Sequence, residues 1–110
     1  MGLFSSKTPS WHKIAESPAE LFQADLITRE VNGKLLCFAR HNGSIFAFPD
    51  KCPHAGGSLS HGYVDAIGNI VCPLHRYKFM MKNGYNSSGE GYFLKTYKVR
   101  VDEEGVWVEL

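Results

Sequence analysis

Two short stretches, Cys52-Pro53-His54 and Cys72-Pro73-Leu74-His75, limit what this chain can fold into more than any other feature. Each offers one soft thiolate and one imidazole, and residues 55–71 separate them. Two thiols and two imidazoles suit a metal centre with two chemically different ends. Zinc is the competing metal for a Cys₂His₂ set. Its knuckles usually place two to four residues between paired ligands, whereas Cys52 and His54 have one between them.

A chain of 110 residues reads as a single domain, 1–110. It can bury roughly two-thirds of its unfolded surface, enough for a modest core. A net charge of +1 gives no electrostatic case for nucleic acid or an anionic membrane. Eleven glycines and five prolines imply many turns. No apolar run reaches the roughly 18 residues that would span a bilayer, so no membrane segment is expected. The N-terminal MGLFSSKTPS lacks the charged-then-apolar pattern of a signal peptide. Gly2 and Ser6 fit the loose myristoylation pattern, though a plain polar N-terminus is the simpler reading. Three cysteines without a secretory signal argue for metal or reduced thiols and for the cytoplasm.

Along the chain, Trp11–Ile14 alternates weakly as a first strand. Ser17 and Pro18 suit the cap and first position of a short helical turn. Residues 26–48 read as a β-meander: strands 26–31, 34–40 and 44–48, with tight turns at Asn32-Gly33 and Asn42-Gly43. In its middle strand Leu35, Cys37 and Ala39 share one face, and Leu36 and Phe38 the other. A brief strand 69–71 enters Cys72, and Tyr77, Phe79 and Met81 alternate after His75. Residues 82–91 form a turn-rich loop in which Tyr85 is the one core candidate. Strands 97–101 and 106–108 make a last hairpin across Asp102–Gly105. The fold class is therefore all-β: a small antiparallel β sandwich or barrel, with the two loops as a cap inserted between strands.

The stretches CPHAGGSLSHG (52–62) and CPLHRYKF (72–79) resemble those of the Rieske [2Fe–2S] proteins, in which two histidines replace two cysteines on one iron. The resemblance implies a base fold over about 10–48 and 80–110 and a cluster-binding insertion over about 49–79. It assigns Cys52 and Cys72 to one iron of a [2Fe–2S] cluster and His54 and His75 to the other. Pro53 and Pro73 would each remove a backbone donor and leave other loop N–H groups to face the sulfurs. Gly56 and Gly57 would let backbone approach where a Cβ would collide, and Leu74 would shield the cluster. Neutral imidazoles lower the negative charge of the centre, so its potential lies above that of an all-cysteine site.

Departures from the family's variants carry information. High-potential members tie the loops with a disulfide; here Gly57 and Leu74 stand at those places. Such members also place Ser and Tyr hydroxyls near the cluster, where this chain has Tyr77 and Phe79. A ferredoxin-type centre in roughly the lower half of the −150 to +300 mV Rieske range is expected. Many members have Gly where this chain has Arg76. If that backbone needs positive φ, Arg76 is strained, and its charge would favour the reduced state and an acidic partner. Cys37 reads as a small buried hydrophobe, His61 as a loop residue near the rim, His12 and His41 as surface residues, and Trp11 and Trp107 as core.

The chain shows no dinucleotide fingerprint, P-loop or mononuclear-iron motif. It is therefore read as an electron carrier and not as an enzyme on its own. The leading expectation is a monomeric Rieske-type ferredoxin between a flavin reductase and a terminal oxygenase. The alternative is the small subunit of a cytoplasmic nitrite reductase, bound to the large subunit. A third reading is a binding module whose site holds zinc or nothing.

Overall fold

The computed structural model describes residues 10–54 and 56–110. The Gly2 and Ser6 pattern lies outside the described residues. Among the described residues nine strands form three antiparallel three-stranded sheets, with no closed barrel. The first sheet orders β1 (Trp11–Ala15), β9 (Gly105–Glu109) and β8 (Val99–Asp102). The second is the expected meander of β2 (Leu26–Val31), β3 (Lys34–His41) and β4 (Ser44–Pro49). The third joins β5 (Tyr63–Val64), β6 (Asn69–Val71) and β7 (Lys78–Met80).

Local chemistry sets the turns. Asn32 and Gly33 have φ of 50° and 81°, and Asn42 and Gly43 have 50° and 80°. Two consecutive positive-φ residues make turns whose twist matches the flanking strands. They fix the register, so that Cys37 faces Thr28 on one side and Phe48 on the other. Ser17 caps α1 (Pro18–Leu21) by accepting a hydrogen bond from the Glu20 N–H at 3.1 Å.

β3 divides two cores. Leu36 and Phe38 pack with Leu21, Phe22, Val106 and Val108 between the meander and the first sheet. Cys37 and Ala39 point the other way, against Leu59, Ile70, Phe79 and the two loop cysteines. Alternation along one strand thus holds the base together and seats the loops on it. Leu35, expected beside Cys37, is exposed: it lies opposite Glu30 at the hairpin end of β3, next to the Asn32-Gly33 turn.

Three expectations about the core need correction. Trp11 is 36% exposed and Trp107 half-buried. Both rings instead hold Arg100, whose guanidinium lies 4.7 and 5.2 Å from their centroids. Tyr85 is exposed, and the buried residues of its loop are Gly84 and Asn86. A polar residue takes the inside position there because Asn86 is fully partnered. Its amide donates to Lys78 O, Ser88 Oγ and Glu90 Oε1, and its oxygen accepts from the N–H groups of Glu90 and Tyr92. His12 and His41 are half-buried surface residues.

Candidate metal centre

The two loops close with the same bond. Cys52 N–H donates to Gly57 O at 2.7 Å, and Cys72 N–H donates to Tyr77 O at 2.8 Å. Each cysteine therefore begins a tight loop whose sixth residue returns to it. Within the first, Gly56 N–H also donates to Cys52 O at 2.9 Å. Both cysteines are buried, His54 is half-buried and His75 is exposed.

The ligand atoms of Cys52, His54 and Cys72 all lie within 4.8 Å of one another. His54 Nδ1 is 3.7 Å from Cys52 Sγ. His75 stands outside this compact group and meets it through His54, with its Nδ1 3.2 Å from His54 Nε2. A one-ion site would gather four atoms around one point. An arrangement of three with a fourth set beyond one imidazole fits a centre with two ends. His61, exposed in the 3₁₀ turn Leu59–His61, is outside the group.

Two features of the chain itself fit such a centre. Burial pushes the Cys72 thiol pKa up; the neighbouring Cys52 adds to this, although the Leu74 N–H opposes it by favouring the thiolate. A bare thiolate is disfavoured there, and a bound cation supplies the missing stabilisation. Gly57 is also required to be small. A Cβ on it would stand 2.9 Å from Leu74 Cδ1 and 3.5 Å from Cys72 Sγ. So Gly57 and Leu74, which occupy the family's disulfide positions, do pack together across the two loops. Gly56 serves differently, with φ of 74°.

Supports that sequence reasoning missed lie on either side. Asp50 is buried before the first loop and accepts from Ser58 Oγ at 2.7 Å and Ser60 N–H at 2.9 Å. Burial raises its pKa, but those hydrogen bonds and nearby His61 outweigh this and hold the carboxyl below its usual range. Tyr77, which stands where high-potential members place a hydroxyl near the cluster, lies over His54 with ring centroids 3.9 Å apart. Tyr92 reaches the same imidazole at 5.7 Å and Tyr77 at 5.8 Å. Nothing in the sequence pattern links Tyr92 to His54; the Asn86 bond to its N–H brings it there. Cys37, buried on the same core, has its pKa pushed up to about 12 by burial and then by Asp50, which keeps it a neutral thiol.

A family model described as the Rieske [2Fe-2S] domain matches residues 10–92. The chain belongs to that family. Its Cys/His motif is accordingly a Rieske-type cluster-binding motif. Among curated relatives, the chain is 32% identical over 69 residues to a 3-phenylpropionate/cinnamic acid dioxygenase ferredoxin subunit of Photorhabdus laumondii. The Escherichia coli K12 protein of the same name matches at 32% over the same length. These matches cover 62% of this Rieske chain and 66% and 65% of the relatives' own lengths. The fold is also that of the ferredoxin of carbazole 1,9a-dioxygenase from Nocardioides aromaticivorans. That pair has a TM-score of 0.77, 25% identity, and coverage of 90% of this chain and 96% of that one. A structure titled as a complex of reduced oxygenase and oxidized ferredoxin in carbazole 1,9a-dioxygenase gives 0.75 at 28% identity, covering 89% and 91%. No helix among the described residues is long and apolar enough to cross a membrane.

Proposed function

We propose that this Rieske chain is a one-electron carrier, the ferredoxin component of an oxygenase system. Cys52 and Cys72 would hold one iron of its cluster, and His54 and His75 the other. The observation that carries this reading is the asymmetry of the site. The thiols are buried, and the imidazoles lead outward from half-buried His54 to exposed His75. The bound cluster supplies reversible uptake of one electron. The chain's own residues do the rest. The base cores hold the loops rigid, Tyr77 fixes the plane of His54, Gly57 and Leu74 lock one loop on the other, and His75 gives the exit edge.

The relatives' names support an oxygenase chain over a nitrite reductase subunit. A flavin reductase upstream, a terminal oxygenase downstream, a free monomer and a cytoplasmic site complete the proposal. The three free cysteines suit a reducing compartment. We also propose the division into a base (about 10–48 and 80–110) and an insertion (about 49–79), supported by the third sheet sharing no ladder with the other two. The test is the EPR spectrum of dithionite-reduced protein with iron and sulfide analysis. A rhombic signal of low average g with two irons per chain is expected. Stoichiometric zinc, or no metal, would overturn the reading.

A further inference from the structure

The residues from Asp50 to Glu90 include three carboxylates, Asp50, Asp65 and Glu90, and all three are engaged within the chain. Asp50 is held by Ser58 and Ser60. Asp65 is bonded by Asn69 and lies 4.0 Å from Lys78. Glu90 is bonded by Asn86 and Ser88. The cations of the two ligand loops are left over. Lys51 and Arg76 are exposed, and neither has a carboxylate partner among the described residues.

Arg76 is placed there against its own backbone preference. Its φ is 59°, following His75 at 64°. Counted from each cysteine, Arg76 occupies the position that Gly56 fills in the first loop, at φ 74°. Glycine adopts this conformation freely, and arginine at a cost of about 1–2 kcal/mol. A strained residue kept at an exposed edge points to what its side chain contacts outside the chain. Lys51 runs along the first loop, its Cε near Gly56. Large apolar side chains are open beside them: Leu74, on the second loop, is 43% exposed, and Tyr92, which packs against His54, is 41% exposed.

We infer that this face docks a redox protein that presents carboxylates, with Lys51 and Arg76 receiving them and Leu74 and Tyr92 forming the apolar contact. The inference rests on the electron-carrier reading and adds the polarity of the partner. Charge of this kind acts through encounter rate, by roughly tenfold or more at low salt.

The probes are two one-electron proteins of opposite charge, acidic flavodoxin and basic cytochrome c. Flavodoxin hydroquinone gives one electron to the oxidised cluster-loaded chain and becomes the semiquinone. The reduced chain gives one electron to ferric cytochrome c, which becomes ferrous. Flavodoxin exchange is expected to be fast at low ionic strength and to fall as salt rises. Lys51→Glu and Arg76→Glu should each slow it severalfold, and together roughly tenfold, while exchange with cytochrome c quickens. Calorimetric titration of oxidised flavodoxin onto the oxidised chain should show the same salt-sensitive association, weakened in the variants. A flavodoxin rate and affinity indifferent to salt and to both reversals would overturn the inference. If Arg76→Glu fails to load its cluster, Lys51→Glu alone carries the test. Exchange with a neutral quinone separates the two readings. If the quinone reacts normally and flavodoxin shows no charge effect, only the docking inference fails. If the wild-type chain has no rhombic signal and no exchange with the quinone, the carrier reading fails with it.

Discussion

The two ligand loops are alike in closure and unlike in what holds them open. Both run six residues from a cysteine N–H to a returning carbonyl. The first places histidine third, keeps it half-buried, and turns on a glycine. The second places histidine fourth, exposes it, and turns on arginine. That one-residue offset teaches how two similar loops can make a centre with a protected side and an open side. Their supports differ too. A buried carboxylate, Asp50, braces the first loop. A neutral amide, Asn86, braces the strand that leaves the second, by donating to Lys78 O at 2.9 Å.

The largest effect is expected from the thiols. Cys52→Ala and Cys72→Ala should each abolish iron and sulfide binding, since neither loop alone offers two thiolates. Retention of two irons by either variant would break the symmetry of the assignment. Removing the braces comes next. Asp50→Ala leaves the Ser60 N–H and Ser58 hydroxyl without their charged acceptor and should cost about 1.5–3 kcal/mol, read from denaturant midpoints. Asn86→Ala should cost a similar amount and also free Tyr92, visible as a changed EPR line shape from a less fixed His54.

Acid sharpens the contrast. The Asp50 carboxyl titrates below its usual range in the folded chain. Its contribution to stability is therefore complete above the ordinary carboxylate pKa near 4 and is lost as pH falls through the lower folded value. Asn86 itself does not titrate, but its partner Glu90, held below its usual range by the Ser88 hydroxyl and the Asn86 amide, does. Amide protection in the first loop should fall on acidification, and Asp50→Asn should remove that acid sensitivity from the first loop while leaving the acid response around Asn86 as it was. A first loop that keeps its acid sensitivity in Asp50→Asn would show that the carboxylate is not its brace.

Much of this was legible because short-range chemistry decides it. The Asn-Gly pairs named their own turns, alternation in residues 34–40 named the dividing strand, and the likeness of 52–62 and 72–79 to Rieske loops pointed to the family that the match over residues 10–92 shows. What was not legible depends on pairs distant in sequence. Trp11 looked like core because large aromatic side chains supply much of the buried area of a small domain. Its true partner, Arg100, becomes visible only when β1 and β8 flank β9. Asn86 and Tyr92 sit in a stretch whose composition reads as loop. Their role arises from hydrogen bonds that no periodicity encodes.

The smallest effect is the most direct test of the loop comparison. Gly56 and Arg76 hold the same place and nearly the same φ, so exchanging their chemistry should have opposite signs. Gly56→Ala introduces a Cβ at a positive φ. Its nearest neighbour is Lys51 Cε at 3.3 Å, the mobile part of an exposed side chain, so the cost is conformational and not steric. Arg76→Gly relieves the same conformation but gives the unfolded chain more freedom, which returns roughly 0.4–1 kcal/mol of the gain. Net changes of about 1 kcal/mol downward for Gly56→Ala and somewhat less upward for Arg76→Gly are expected. Thermal midpoints of the cluster-loaded proteins would resolve them. A gain at Arg76→Gly together with loss of salt-sensitive exchange would show the second loop trading stability for a cation at its tip. A gain without that loss would leave the strain unexplained by docking and return the question to how His75 is held.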